Sequence, residues 1–247
     1  MKKLLLFGVV AAVLTAAAPV RAEGLTLTGE TGVARTPVAM ALAPMSFALA
    51  ADFVVSEDAF LPVRAEFGVI EGLEVGLNYW FTDTRNNWSQ WGLNAKYVIP
   101  GEFVEGLGVA AGFNYQSESA DGGYNADLIK VYGVVSYTLD TRIRIIPSGG
   151  LSYEVQDGDK NESGLRLFGS ILAQVMPSVA VGAEFNFANQ DLDGDDADPS
   201  LWFGARFAPI KNLSLQAGVI NNANVGGNDP SDYVFHAGAQ YAFSFAK

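Results

Sequence analysis

Apolar and polar residues alternate along most of this chain with a period of two. Residues 73–80 show the pattern clearly, because Leu73, Val75, Leu77 and Tyr79 are separated by Glu74, Gly76, Asn78 and Trp80. A period of two places successive side chains on opposite faces of a β-strand. The pattern recurs about a dozen times, and the apolar residues keep odd numbers each time. It therefore predicts an all-β chain whose strands each have one apolar face.

Twelve strands follow from this alternation, and most approach the roughly 9–11 residues with which a tilted strand crosses a bilayer. Short turns such as Ile70-Glu71-Gly72 alternate with longer polar connections such as residues 188–200. Short turns on one side and long loops on the other are typical of outer-membrane barrels. The predicted strands are Met45–Val54, Leu61–Val69, Leu73–Thr82, Trp88–Ile99, Leu107–Gln116, Leu128–Thr138, Arg142–Val155, Leu165–Val175, Val179–Phe187, Leu201–Phe207, Leu213–Ile220 and Tyr233–Phe245.

The odd-numbered face carries no charged residue within these twelve strands. Its aromatic residues fall into two belts, one next to the long loops (Phe53, Trp91 and Phe203, for example) and one next to the short turns (Phe47 and Tyr97). A soluble β-sandwich would also alternate, but aromatic belts around an aliphatic band are a feature of membrane interfaces. The prediction is a transmembrane antiparallel up-and-down β-barrel of about 12 strands.

The N-terminal residues predict export rather than a further strand. Lys2 and Lys3 precede an apolar run, and residues 20–22 form a small-x-small cleavage site, so residues 1–22 are interpreted as a signal peptide. Residues 23–44 form a weakly patterned lead-in segment on the periplasmic side, followed by a barrel domain at 45–247. Three placements of this segment stay open: a periplasmic tail, a segment folded into the barrel mouth, or an additional strand.

The net charge and the cysteine count make some partners and some means of stabilisation improbable for this chain. The chain has a net charge of −12, and removal of residues 1–22 takes away three basic residues, which leaves 12 basic and 27 acidic residues, or −15. This acidity argues against nucleic acid as a partner, since such binding depends on releasing counterions from phosphates. The chain has no cysteine, so closed strand pairing rather than disulfides is expected to hold it together.

The last predicted strand ends in alternating aromatic residues, Tyr241, Phe243 and Phe245. This strand resembles the C-terminal strand of the bacterial outer-membrane β-barrel superfamily. Together with the alternation described above, it makes the chain similar to the porin-like members of that superfamily, and no subfamily is identified. The resemblance implies a Gram-negative outer-membrane location and contact with membrane lipid and lipopolysaccharide. It also implies insertion by the outer-membrane assembly machinery, which reads this strand.

The even-numbered face is the predicted lumen and the candidate functional site. Its basic residues outnumber its acidic ones, and rings of Arg or Lys favour anions. The predicted function is a porin-like channel for passive diffusion of small, anion-preferring solutes. The alternative is a non-conducting structural or surface-interaction barrel, filled by ion pairs and acting through acidic extracellular loops. The candidate lumen residues are Arg64, Lys96, Lys130, Arg142, Arg144, Arg166, Arg206, Glu66, Glu74, Glu154 and Glu184.

Signals for catalysis, cofactors and metals are weak. His236 is the single histidine and lies on the inward face, where a hydrogen-bonded structural role is expected rather than catalysis. No enzyme activity and no cofactor are predicted. One acidic loop with Asp191, Asp193 and Asp195 is a weak candidate metal site, because its spacing departs from that of a calcium loop.

Overall fold

The computed structural model describes residues 24–55, 59–82, 88–101, 104–121, 123–158, 162–188, 200–221 and 233–245. The predicted signal peptide and the loop with Asp191, Asp193 and Asp195 lie outside these ranges. The described residues contain no helix of the length and hydropathy needed to cross a membrane. The strands are β1 (Ser46–Val55), β2 (Ala59–Ile70), β3 (Leu73–Thr82), β4 (Ser89–Val98), β5 (Leu107–Ala120), β6 (Tyr124–Tyr137), β7 (Leu139–Asp140), β8 (Arg144–Gly158), β9 (Glu162–Met176), β10 (Val179–Ala188), β11 (Ser200–Ile210), β12 (Leu213–Asn221) and β13 (Tyr233–Ser244).

Antiparallel pairing joins each long strand to the next one along the chain and closes the sheet into a barrel. β1 pairs with β13, and β6 pairs with β8, so the twelve long strands form a continuous ring. β7 is a two-residue strand that pairs with the start of β8 in the hairpin between β6 and β8. The predicted twelve-stranded barrel is confirmed. Closure leaves no unpaired sheet edge, as a structure surrounded by lipid requires.

The alternation in sequence becomes two surfaces. Leu77 is 54% exposed on the outside, whereas its neighbour Asn78 is 2% exposed in the lumen. Outward side chains come into register across strands, as in the pairs Phe47–Phe243 and Leu49–Tyr241. The outward surface of the strands is apolar because a charge there would have to leave water for lipid.

The lead-in segment lies inside the barrel. Leu25, Thr26, Glu30 and Val33 are completely buried. Two antiparallel bridges, Leu25–Thr31 and Gly32–Pro37, fold the segment back on itself. We call residues 24–44 the plug. Small barrels are filled by their own inward side chains, whereas a twelve-stranded barrel has additional room, and the plug occupies part of it.

The hydrophobic core is therefore inside the lumen rather than between sheets. Its largest cluster combines plug residues with inward residues near the long loops; its members are Leu27, Val33, Ala34, Val38, Val54, Phe60, Trp80, Trp202, Ile220 and Val234. Gly204 on the same strand and Gly218 on β12 lie next to Trp202, and a Cβ at either position would overlap the indole. These two glycines therefore leave room for the Trp202 ring beside the wall.

Candidate functional site: the barrel lumen

Glu74 on β3 anchors the plug at two places. Its carboxylate accepts hydrogen bonds from Thr31 N (2.8 Å), Thr31 Oγ1 (2.5 Å) and Leu42 N (2.9 Å). Lys96, which is opposite Glu74 on β4, forms an ion pair with it at 2.8 Å and donates to the Thr31 carbonyl at 2.8 Å. Glu74 and Lys96 are fully buried, so neither is available to a passing solute.

A second anchor lies across the lumen on β10 and β11. The Glu184 carboxylate accepts hydrogen bonds from the backbone N–H groups of three consecutive plug residues, 34–36, at 2.9–3.1 Å. Arg206 Nη2 donates to the carbonyls of Gly32 (2.7 Å) and Val33 (2.5 Å). Hydrogen bonds with one charged partner are roughly twice as strong as neutral ones, so this pair holds the middle of the plug firmly.

The third anchor fixes the start of the plug to β2, β3 and β4. Arg64 forms a buried ion pair with Asp52 and donates through Nη1 to the Thr26 carbonyl at 2.6 Å. Asn78 and Asn94 both donate to the Thr28 carbonyl, at 2.9 and 3.3 Å. Because β1–β4 and β11–β13 face the plug with buried side chains, we call them the sealed wall.

The strands β6, β8 and β9 differ, and we call them the open wall. The side chains of Arg166, Arg144 and Glu154 are 45%, 24% and 15% exposed, and Lys130 is also partly exposed. Arg166 Nε forms an ion pair with Glu154 at 2.6 Å. The plug reaches this wall where Ala39 N donates to Ser136 Oγ at 2.8 Å. The charged groups of the open wall therefore stay in contact with solvent.

The structure thus separates the predicted lumen residues into two groups. Five of them, Arg64, Lys96, Arg206, Glu74 and Glu184, contact the plug, and Glu66 is buried beneath it. Lys130, Arg144, Arg166 and Glu154 form the accessible group. Arg142 differs from the expectation, because β8 begins at Arg144 and Arg142 is exposed in the turn between β7 and β8.

Sequence reasoning missed Arg35, because it lies in the plug and belongs to no strand pattern. Arg35 donates through N to Glu184 and lies 3.5 Å from Ser200 Oγ through Nη1. Burial lowers the pKa of the Arg35 guanidinium from its usual range, and the Glu184 carboxylate opposes that change. Arg35 adds a further basic group to the partly exposed side of the lumen.

His236 lies inside the barrel, as its even number predicts. Its Nε2 accepts a hydrogen bond from Trp202 Nε1 at 2.6 Å, and its Nδ1 is 3.5 Å from Asp52 Oδ1. Both ring nitrogens therefore face buried side chains rather than the accessible part of the lumen. Within the described ranges, no three acidic or histidine side chains are grouped as metal ligands.

The solved structures that are similar to this chain include two porins and a further outer membrane protein. A KdgM porin matches with a TM-score of 0.59 and 15% identity, over 79% of this chain and 99% of that chain. The NanC porin matches with a TM-score of 0.56 and 11% identity, over 79% and 98%. The outer membrane protein Omp33 of Acinetobacter baumannii matches with a TM-score of 0.51 and 12% identity, over 81% and 98%.

The chain has the porin-like outer-membrane β-barrel fold. At these identities the likeness concerns the fold alone. No protein-family model matches the chain, and no curated protein is a significant match. What distinguishes the chemistry of this porin-like barrel must therefore come from its own lumen, where the plug separates a sealed wall from an open one.

Proposed function

We propose that this protein is an outer-membrane channel for small anionic solutes, with a path that runs between the plug and the open wall. The observation that carries the proposal is the division of the lumen. The plug contacts five of the eleven predicted lumen charges, but Lys130, Arg144, Arg166 and Glu154 remain accessible to water. Charged groups that line a water-filled lumen determine which ions enter it.

The accessible group is basic. Lys130, Arg144 and Arg166 stand against Glu154 on the same wall and Asp140 of the adjoining β7, which lies 3.7 Å from Arg144 Nε, and Arg35 of the plug adds another positive charge. Cationic side chains suit carboxylate or phosphate oxygens, to which they donate charge-assisted hydrogen bonds.

The neighbours support the same solute class. One KdgM porin structure is a complex with disordered oligogalacturonate, an oligosaccharide that carries carboxylates. Acidic saccharides are therefore the first solutes to test here.

We also propose export through cleavage after residue 22, insertion through the C-terminal strand by the assembly machinery, and contact of the outer surface with lipid and lipopolysaccharide.

A second function has one specific observation in its favour. The plug and the aromatic cluster of Phe60, Trp80 and Trp202 fill the loop end of the sealed wall. A barrel filled in this way over its whole cross-section would not conduct, and would act instead as a structural or surface-interaction protein through its acidic loops. Conductance separates the two functions.

The test is single-channel recording of the refolded protein in a planar bilayer with a salt gradient. We expect small stepwise openings and a reversal potential that indicates anion preference. The triple variant Lys130→Gln, Arg144→Gln and Arg166→Gln should move that potential towards cation selectivity. Arg142→Gln, in the exposed turn outside the lumen, is the matched control and should leave it unchanged. Inserted protein that never opens would refute the channel and support the second function.

A further inference from the structure

Lys130 lies in the middle of β6, and its ammonium group contacts two aromatic rings rather than an acid. Lys130 Nζ is 5.6 Å from the centroid of the Tyr132 ring and 6.0 Å from the centroid of the Phe168 ring. A cation within about 6 Å of a ring centroid is attracted to the negative face of the ring. Because Lys130 is partly exposed, the N–H donors that point away from the rings remain available to an acceptor in the lumen.

The two rings are fixed by the wall and by the plug. A Cβ at Gly112 would overlap the Tyr132 ring, and a Cβ at Gly150 would overlap the Phe168 ring, so each ring lies over a position without a side chain. The rings meet edge to face with their centroids 6.4 Å apart, and they are only 5% and 2% exposed. Ala39 of the plug belongs to the same buried cluster. The rings are therefore a fixed support for the ammonium group, and a solute meets the ammonium rather than the rings.

The acid on the neighbouring strand is engaged elsewhere. Glu154 is opposite Lys130 in the pairing of β6 with β8. However, Glu154 Oε2 forms an ion pair with Arg166 at 2.6 Å, and Glu154 Oε1 accepts a hydrogen bond from Ser152 Oγ at 3.3 Å. Among the described residues, Lys130 takes part in no ion pair. Its ammonium group is therefore presented to the lumen without a carboxylate partner.

We propose that Lys130, oriented by Tyr132 and Phe168, binds the carboxylate group of an acidic solute inside the barrel. The carboxylate would accept charge-assisted hydrogen bonds from the ammonium, while Arg166 stays paired with Glu154. Low-dielectric walls strengthen the field of a charge halfway along the lumen. The role of this site in transport rests on the channel proposed above, whereas binding itself needs no conduction and can be measured separately.

The test is titration calorimetry of the folded protein in detergent with a trisaccharide of uronic acids, beside a neutral trisaccharide. We expect saturable binding of the acidic trisaccharide only. Lys130→Met keeps an unbranched side chain against the rings but loses the charge, and should weaken binding by about tenfold or more. Lys130→Gln is a second neutral variant and should do the same. Lys130→Arg should restore binding to within about threefold, because a guanidinium group also packs on aromatic rings and carries the charge.

Two comparisons separate this site from a general attraction by charge. Arg144 carries the same charge on the open wall but lies 3.7 Å from Asp140, so Arg144→Met should weaken binding much less than Lys130→Met. Arg142→Met, in the exposed turn outside the lumen, is the matched control and should leave binding unchanged. Phe168→Leu removes one supporting ring and should weaken binding in the wild type, but should add nothing in the Lys130→Met background, because the ring acts through Lys130.

Equal losses of affinity in Lys130→Met and Arg144→Met would overturn the proposal, because net charge alone would then attract the carboxylate. Absence of wild-type binding, or wild-type affinity in the folded neutral variants of Lys130, would overturn it as well. Conductance of the same proteins distinguishes the two proposals. A silent barrel whose binding depends on Lys130 would support the site and refute the channel. An anion-selective channel whose binding is independent of Lys130 would refute the site and leave the channel.

Discussion

At the scale of single residues, a change of one in sequence number moves a side chain from lipid to lumen. Leu77 and Asn78 illustrate this, since one faces outward and the other hydrogen-bonds to the Thr28 carbonyl inside the barrel. The two positions tolerate different chemistry for different reasons. Outward positions must avoid charge, whereas inward positions of the sealed wall must keep their specific hydrogen bonds to the plug.

Leu77→Arg should therefore lower the free energy of unfolding by about 2–4 kcal/mol, the range for a cation near the middle of the lipid face. Urea titration of the protein in lipid vesicles measures this. The control is Gln156→Arg, an inward and partly exposed position on β8, which should change stability little. Equal losses for both variants would contradict the assignment of the two faces. Asn78 is a poor control despite its even number, because its amide binds the plug.

Trp202→Phe tests the buried contact with His236. The change removes the indole N–H and leaves His236 Nε2 without a donor, so we expect a loss of about 1–3 kcal/mol in the free energy of unfolding. Trp91→Phe, on the outward belt and 44% exposed, is the matched control, with a smaller loss. Denaturant titration of both variants decides, and indistinguishable losses would mean that the hydrogen bond adds no measurable stability.

At the scale of elements, the strands were predictable and the plug was not. The predicted and observed bounds of β3 are identical, because a period of two reports directly on strand faces. The prediction ended β5 at Gln116, whereas the strand continues to Ala120, since polar residues still pair after the apolar face ends. The plug sequence has no hydrophobic periodicity, and the side chains that anchor it hydrogen-bond to its backbone, some accepting from N–H groups and others donating to carbonyls. Pairs such as Ala34 and Glu184 leave no local signal in the sequence.

Glu184→Gln should loosen the middle of the plug. The amide keeps the shape of the carboxylate but loses the charge that three backbone N–H groups share. We expect faster hydrogen exchange at residues 34–36, by about tenfold for each 1.4 kcal/mol of local stability that is lost. Glu154→Gln, whose carboxylate binds no plug residue among the described contacts, should leave the exchange at 34–36 as in the wild type. Unchanged exchange in Glu184→Gln would show that other contacts hold this part of the plug.

At the scale of the whole molecule, the barrel has a firm half and an accessible half. The even-numbered strand positions predicted a basic interior, and the structure leaves Lys130, Arg144 and Arg166 accessible on the open wall. The strand pattern could not show which charged side chains would be used in contacts with the plug, because that depends on where residues 24–44 fold. Charge counts along strands therefore do not predict which lumen residues meet a solute.

Removal of the plug should convert the narrow path into a wide one. A variant that lacks residues 24–43 should still form the β1–β13 closure but conduct at least several times more than the wild type, since a twelve-stranded lumen without a plug approaches an open channel. Planar-bilayer recording measures the step size. Equal step sizes with and without the plug would place the conducting path elsewhere.

A cross-linked plug distinguishes a fixed plug from one that leaves the lumen during conduction. The chain has no cysteine, so Ala39→Cys with Ser136→Cys introduces a single candidate disulfide at two residues joined by a 2.8 Å hydrogen bond. If solutes pass beside a stationary plug, oxidation should leave the conductance unchanged. Loss of conductance on oxidation, with recovery on reduction, would show that the plug moves.

The hydrogen bond from Leu25 to Gln240 has a consequence for biogenesis. It joins the beginning of the described chain to the final strand, 215 residues later, so the earliest part to be synthesised cannot complete its contacts until the last part has arrived. Closing so long a loop carries a large entropic penalty that is recovered only at the end. Lumen filling and ring closure should then be one late, cooperative event. A barrel that closed without its N-terminal residues inside would be a leak in the permeability barrier of the cell.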